Sequence, residues 1–174
     1  GGPVSGDDAA DAAVWQSNTR KIEAAGAGGI EYSLSCPQGG DGTEGDIVSP
    51  NAALTTKINE WILQVGDPNV PTLFQLTAPV TSVEAIVIAI GELLARYPDA
   101  KAGVTLANTF PSMSLRPAGD GWEKGIVVGM SGEGVTPISN LTLAKVSGLG
   151  VTVSGNGGPM DYRAAADFLA LGAR

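Results

Sequence analysis

Residues 72–109, TLFQLTAPVTSVEAIVIAIGELLARYPDAKAGVTLANT, decide the fold. The first six residues, 72–77, are rich in strand formers, and apolar residues then recur at helical spacing from Val83 to Tyr97, where Pro98 ends the pattern. Residues 102–109 indicate a second strand. A strand, a helix and another strand in succession predict two parallel strands joined by a right-handed crossover.

The same alternation continues on both sides of this stretch. The other predicted elements are a helix at 11–25, a strand at 30–35, a polar glycine-rich loop at 37–50, a helix from Leu54 to Val65, a long loop at about 110–136, a helix near 137–147, a strand at 150–155 and a helix from about Pro159. Four β/α repeats predict an α/β fold with parallel strands, either a doubly wound sheet or part of a (β/α)8 TIM-type barrel. No G-x-G-x-x-G motif follows the first strand, which disfavours dinucleotide binding.

Composition narrows the classes of function. The chain has 174 residues, which suits a single domain over residues 1–174. Its net charge of −8, without a basic cluster, argues against partners such as nucleic acid or acidic membranes. One cysteine and no histidine exclude an internal disulfide and a Cys/His zinc site. We expect a cytoplasmic protein without a metal, and the loop-like start GGPVSGDD leads us to expect a piece of a larger domain.

Polar residues gather where the predicted strands end, which is where parallel α/β folds bind ligands. The ends are SLSCP (33–37), QLTAP (75–79), LANT (106–109) and VSGNGG (153–158). Glycines in VSGNGG permit close approach of a ligand, and the free N–H groups of a helix starting near Pro159 would face it, so we expect a phosphate site. GMSGEGV (129–135) offers a second set of amides. The alternatives are an ordinary glycine-rich strand-to-helix turn for VSGNGG and a flexible loop for GMSGEGV.

Two further groups of polar residues carry weaker signals. Asn108 and Thr109 can pair with the edge of a heterocycle, or make a local turn bond instead. Asp41, Glu44 and Asp46 have the spacing of no calcium loop, so solvated carboxylates are expected there.

Taken in order, these segments resemble the FMN-dependent dihydroorotate dehydrogenase family, most closely its dihydropyrimidine dehydrogenase branch. IEYSLSCPQGG (30–40) is similar to the branch's E-L-N-L-S-C-P strand, and LFQLTAPVT (73–81) to its A-K-L-T-P-x-V-T strand. GVTLANT (103–109) resembles G-V-x-x-x-N-T, and GMSGEGVTPISNLTL (129–143) resembles G-x-S-G-x-x-x-x-P-I-x-L. VSGNGGPMDYRAAADFLALGA (153–173) resembles the phosphate-site helix that ends in F-L-x-x-G-A. The likeness covers nearly the whole chain.

The resemblance implies a flavoprotein (β/α)8 barrel with FMN at its top, of which this chain would hold about strands four to seven. It implies an oxidoreductase of pyrimidine-type metabolism that transfers hydride between FMN and a CH–CH group of a small planar substrate, as a homo-oligomer or with an iron–sulfur or FAD electron-transfer partner. The implied flavin-binding residues are Gln75, Gly129, Ser131, Gly132, Gly155, Asn156, Gly157 and Gly158. The implied substrate-binding residues are Ser33, Asn108 and Thr109, and the implied acid/base is Ser49.

Three positions depart from the family's pattern. Ser33 replaces the Asn before LSCP, and Gln75 replaces the flavin-contacting Lys. A neutral amide stabilises a reduced, anionic flavin less than a cation does. The family's acid/base aligns near Val48, one residue before Ser49. Cys36 has no Lys, Arg or His nearby in the sequence to activate its thiol, so we expect a packed strand-end residue and not the nucleophile.

Two other functions stay open. The barrel could bind a phosphorylated metabolite without redox chemistry, as a lyase, an isomerase or a binding protein. The chain could also be an inactive half-barrel that associates through exposed strand edges.

Overall fold

A computed structural model describes residues 1–34, 51–77, 83–115, 117–118, 121–122 and 125–174. Its strands, in chain order, are β1 (Ile30–Ser33), β2 (Thr72–Gln75), β3 (Ala102–Leu106), β4 (Phe110–Ser114), β5 (Pro117–Ala118), β6 (Gly121–Trp122), β7 (Ile126–Met130) and β8 (Val153–Gly155). Its α-helices are α1 (Asp8–Ala24), α2 (Ala52–Leu63), α3 (Val83–Leu94), α4 (Thr136–Val146) and α5 (Tyr162–Ala170). The predicted α/β class with parallel strands is confirmed.

The main sheet has the order β1-β2-β3-β8, and every neighbouring pair is parallel. A doubly wound sheet reverses its strand order at a switch point. The strands of the described ranges show no such reversal. Successive helices contact one another from α1 to α5, so the helices form one continuous row along the sheet.

Alternation along the strands separates an apolar face from a polar one. The buried positions of β1, β2 and β3, such as Tyr32, Phe74 and Val104, face the helices. Tyr32 shows this directly, because its ring lies 6.4 Å from that of Trp15 on α1 and its hydroxyl donates to Thr19 Oγ1 at 2.8 Å. The alternate positions hold Glu31, Ser33, Gln75 and Thr105, together with Leu73 and Gly103, so the opposite face of the sheet is largely polar.

The predicted loop at about 110–136 is wrong. Strand β4 pairs antiparallel with β7, from Phe110 opposite Met130 to Ser114 opposite Ile126, and β5 pairs with β6. A short 3-10 helix, Glu133–Val135, then leads into α4. Pro111 concealed the strand in the sequence, but in a two-stranded ribbon the missing N–H of a proline can be tolerated on the outer edge.

Candidate functional site at the carboxyl ends of the strands

The structure brings the predicted residues of β1, β2 and β3 together. Ser33 lies opposite Gln75, and Gln75 lies opposite Thr105. Three residues beyond Thr105, the Asn108 side chain turns back, and its Nδ2 donates to Gln75 Oε1 at 3.0 Å. Asn108 Oδ1 accepts from the Thr109 backbone N–H at 2.7 Å. The predicted local turn bond of Asn108 is therefore present, and the same side chain also joins the neighbouring strand.

The bond with Asn108 leaves Gln75 as a neutral donor. Its Oε1 is occupied, whereas its Nε2 has no hydrogen-bond partner within the described parts of the chain. The strand ends 33–37, 75–79, 106–109 and 153–158 contain no Lys or Arg. This edge can therefore offer a ligand amide and hydroxyl hydrogen bonds, but the strand ends themselves supply no cationic side chain.

The glycine loop after β8 lies against the end of β3. The N–H of Asn156 donates to Leu106 O at 2.6 Å, and the N–H of Ala107 donates to Asn156 O at 2.8 Å. These bonds continue the β3–β8 pairing past the strands. A Cβ on Gly157 would lie 3.5 Å from Asn108 O, so the loop is adjacent to the Gln75–Asn108 pair.

The same loop packs on the first turns of α4. A Cβ on Gly158 would lie 2.7 Å from the Thr136 backbone N, and Thr136 Oγ1 donates to Gly158 O at 2.9 Å. Both glycines have left-handed backbones, with φ of +90° at Gly157 and +100° at Gly158. Neither of their N–H groups has a partner among the residues that the structure describes. These two amides are available to a ligand.

Two N–H groups in the first turn of α5 are already bonded, which corrects the expectation that a helix starting near Pro159 offers its free N–H groups. Helix α5 begins at Tyr162, and Asp161 Oδ1 accepts from the N–H groups of Arg163 at 3.0 Å and Ala164 at 2.9 Å. Asp is a strong N-cap residue, so the helix begins after Asp161 and not at the proline. A carboxylate already occupies the position that was expected to attract a phosphate.

The second glycine segment contacts Thr109. Gly129 lies in β7, where an added Cβ would come within 2.7 Å of Thr109 Cβ. Gly132, with φ of +82°, precedes the 3-10 helix, whose start has no side-chain cap. Within the described ranges no hydrogen bond links Ser131 or Gly132 to the loop after β8. Gly129 and Thr109 are thus brought together, while Ser131 and Gly132 lie at an uncapped helix start.

Three polar residues at or near this edge were missed by sequence reasoning. Thr136 binds the loop, Ser139 is fully buried against Gly157, and Glu31 accepts a 2.6 Å hydrogen bond from Thr105 Oγ1. Thr136 and Ser139 are three residues apart at the start of α4, and a predicted helix that began at Thr136 would have placed them on one polar face.

Several predicted residues lie outside the described ranges, namely Ser49, Cys36, Asp41, Glu44 and Asp46. Among the residues that the structure does describe, no three Cys, Asp or Glu side chains are grouped as metal ligands. In the same ranges, no helix combines the length and apolar character that crossing a bilayer requires.

Two cavities lie away from the strand ends. One of about 260 Å³ lies between the turns that precede β2 and β3, and one of about 180 Å³ lies beside α1 and β1. Neither is lined by a predicted site residue. The candidate site is thus defined by its polar contacts. No family model matches the chain.

Proposed function

We propose that this chain supplies four β/α units of a (β/α)8 barrel, at about strands four to seven, and that its strand ends form part of the FMN site of an oxidoreductase. The observation that carries the proposal is the Gln75–Asn108 contact beside the glycine loop. Positions that a flavin enzyme of the resembled family uses for ring, substrate and phosphate are thereby adjacent at one edge.

The polar face of the sheet supports a barrel. Register places Glu31 level with Gly103, two strands away, yet the Glu31 carboxylate binds the hydroxyl of Thr105. The contact is thus displaced by two residues along β3. In an eight-stranded barrel with a shear of 8, the stagger is about one residue per strand, and alternate strands share a layer of interior side chains. The displacement agrees with that geometry.

The helices indicate what would complete such a barrel. Helix α1 packs beside α2 and over β1 through Trp15, while α5 packs beside α4 and reaches Gly155 of β8 through Phe168. Two copies closing into one barrel would bring α5 of one copy and α1 of the other to the same junction, where a barrel has one helix. We therefore propose that the complement has four strands and three helices, and is not a second copy.

The residues present fit the phosphate group of FMN. The N–H groups of Gly157 and Gly158 lack partners within the described chain, and the missing Cβ atoms let the half-buried loop pack closely on Thr136 and Ser139. Backbone amides in such loops bind phosphate without a cationic side chain. The first turn of α5 is already capped, so the loop itself would hold the phosphate.

At the ring end, FMN supplies hydride transfer when it is bound. Gln75 Nε2 would donate a hydrogen bond to the ring, with the side chain held in position by Asn108. Ser33 and Thr109 would orient a small planar substrate from the two sides of this pair. Ser49, the proposed acid/base, is outside the described residues.

A second candidate follows from the neutrality of Gln75. A site with no cation at the strand ends gives little stabilisation to a reduced, anionic flavin. Binding of a phosphorylated metabolite without redox chemistry needs only the amide donors, and is the alternative that this observation favours.

Calorimetric titration with FMN, riboflavin and a sugar phosphate separates the two. We expect FMN to bind more tightly than riboflavin, and Gln75→Leu to weaken both flavins. Gln64→Leu is the matched control, because exposed Gln64 follows α2 and its Oε1 accepts a hydrogen bond from Gln16 Nε2 at 3.2 Å, away from the strand ends. Binding of the sugar phosphate but of neither flavin would refute the flavin proposal and support the alternative.

A further inference from the structure

Ser139 carries a buried hydroxyl that the fold does not use. The residue is 0% exposed, and Oγ has no hydrogen-bond partner among the described residues. Such a group normally lowers stability, and its retention calls for a reason. Thr142, on the same helix, shows the usual solution, because its Oγ1 donates to Ile138 O at 2.8 Å. Ser139 does not make the equivalent bond to its own helix.

The Ser139 hydroxyl points at the glycine loop. A Cβ on Gly157 would lie 2.9 Å from Ser139 Oγ. The neighbouring Thr136 hydroxyl is already used by Gly158 O. Within the described ranges, the N–H groups of Gly157 and Gly158 and the Ser139 hydroxyl that packs against the loop therefore have no hydrogen-bond partner.

We propose that Ser139 Oγ donates a hydrogen bond to the phosphate that the Gly157–Gly158 loop binds. The inference rests on the phosphate end of the proposed function, and it holds whether the phosphate belongs to a flavin or to a metabolite. A hydroxyl that donates to an anionic oxygen forms a stronger bond than one between neutral groups. Ligand binding thus satisfies a donor that has no partner within the described residues.

This role has opposite effects on stability and on affinity. Ser139→Ala removes an unpaired buried group, so it raises the melting temperature of the free protein, by about 2–4 °C. The same substitution removes a donor to the phosphate and weakens its binding about tenfold or more. If Ser139 had only a structural role, its replacement by alanine would not raise the melting temperature and also lower the affinity for phosphate.

The test compares Ser139→Ala and Ser139→Cys with Thr142→Val, which removes a buried hydroxyl bonded within its own helix. Inorganic phosphate, FMN and riboflavin are titrated into each protein, and melting temperatures are recorded without ligand. Both Ser139 variants should bind phosphate and FMN more weakly, with riboflavin unchanged, while Thr142→Val keeps wild-type affinities.

Unchanged phosphate affinity in both Ser139 variants, a lower melting temperature of Ser139→Ala, or no phosphate binding by the wild type overturns the inference. Phosphate binding that depends on Ser139, in a protein that binds neither flavin, supports the inference while the flavin proposal fails. If FMN binds and both Ser139 variants keep wild-type affinity for it, the flavin proposal is supported and the inference about Ser139 fails.

Discussion

Gly158→Ala tests the contact on which the phosphate loop depends. At φ of +100°, an added Cβ would lie 2.7 Å from Thr136 N and 2.9 Å from Thr136 Cα. A left-handed backbone costs an L-residue about 1–2 kcal/mol, and overpacking adds about 1–3 kcal/mol. Alanine also stabilises through the unfolded chain by about 0.4–1 kcal/mol. We therefore expect the free energy of unfolding to fall by roughly 2–4 kcal/mol.

Gly148→Ala is the matched control, because Gly148 has φ of +84° and no atom within 4 Å of an added Cβ. Gly148→Ala has only the cost of the left-handed backbone and the gain from the unfolded chain, so its free energy of unfolding should fall by about 1 kcal/mol. Urea unfolding followed by circular dichroism gives both values. The difference between the variants measures crowding against α4. Equal losses would refute the packing of the loop on Thr136, and with it the geometry of the proposed phosphate site.

Three other predictions concern single side chains. Burial raises the pKa of Asp11, but hydrogen bonds from Ser5, at 2.8 Å to each carboxylate oxygen, and from the Gly6 backbone outweigh it and hold the pKa below its usual value. Asp11 therefore stabilises the fold above its unfolded pKa and loses this effect as pH falls through the folded pKa. Between about pH 5 and pH 3, the urea midpoint should fall less in Asp11→Asn than in the wild type. Equal falls in the two proteins would contradict this prediction. Asn59 is 0% exposed, and neither polar atom of its amide has a partner in the described chain. Asn59→Leu should raise the free energy of unfolding by about 1–3 kcal/mol in urea titrations, and a loss of stability would reveal a partner for the amide. With FMN bound, Gln75→Lys should raise the flavin reduction potential in spectroelectrochemical titration, because a cation stabilises the reduced ring; an unchanged potential would place Gln75 away from the ring.

The regular elements were predictable because burial repeats with the period of the backbone. Helix α3 shows this most clearly, since its buried residues Val83, Ile86, Val87, Ile90 and Leu93 follow the helical spacing expected from the sequence. The flanking strands β2 and β3 follow for the same reason, although they end earlier than predicted. Local pattern was enough wherever one face of an element is buried against a layer.

The sequence-based predictions were wrong in two situations. In one, two local signals for a helix start competed, and in the other, a strand depended on pairing with a segment distant in the sequence. Pro159 and Asp161 both favour a helix start, and the side-chain cap of Asp161 determined it. Strand β4 depends on pairing with β7, a partner that Pro111 and the serines of β4 do not indicate. The Gln75–Asn108 bond likewise depends on how far the chain continues past β3 before it turns, which the residue types alone do not specify.

Charge determines which forces can hold an anion at this edge. The chain has a net charge of −8, Asp161 caps α5, and Glu133 lies in the short 3-10 helix before α4. These carboxylates oppose a phosphate, so long-range attraction cannot account for its binding. Short, directional donors must do so instead, and their strength depends on geometry. Affinity for a phosphate therefore depends on how closely the glycine loop packs on α4, and on the hydroxyl that this packing buries.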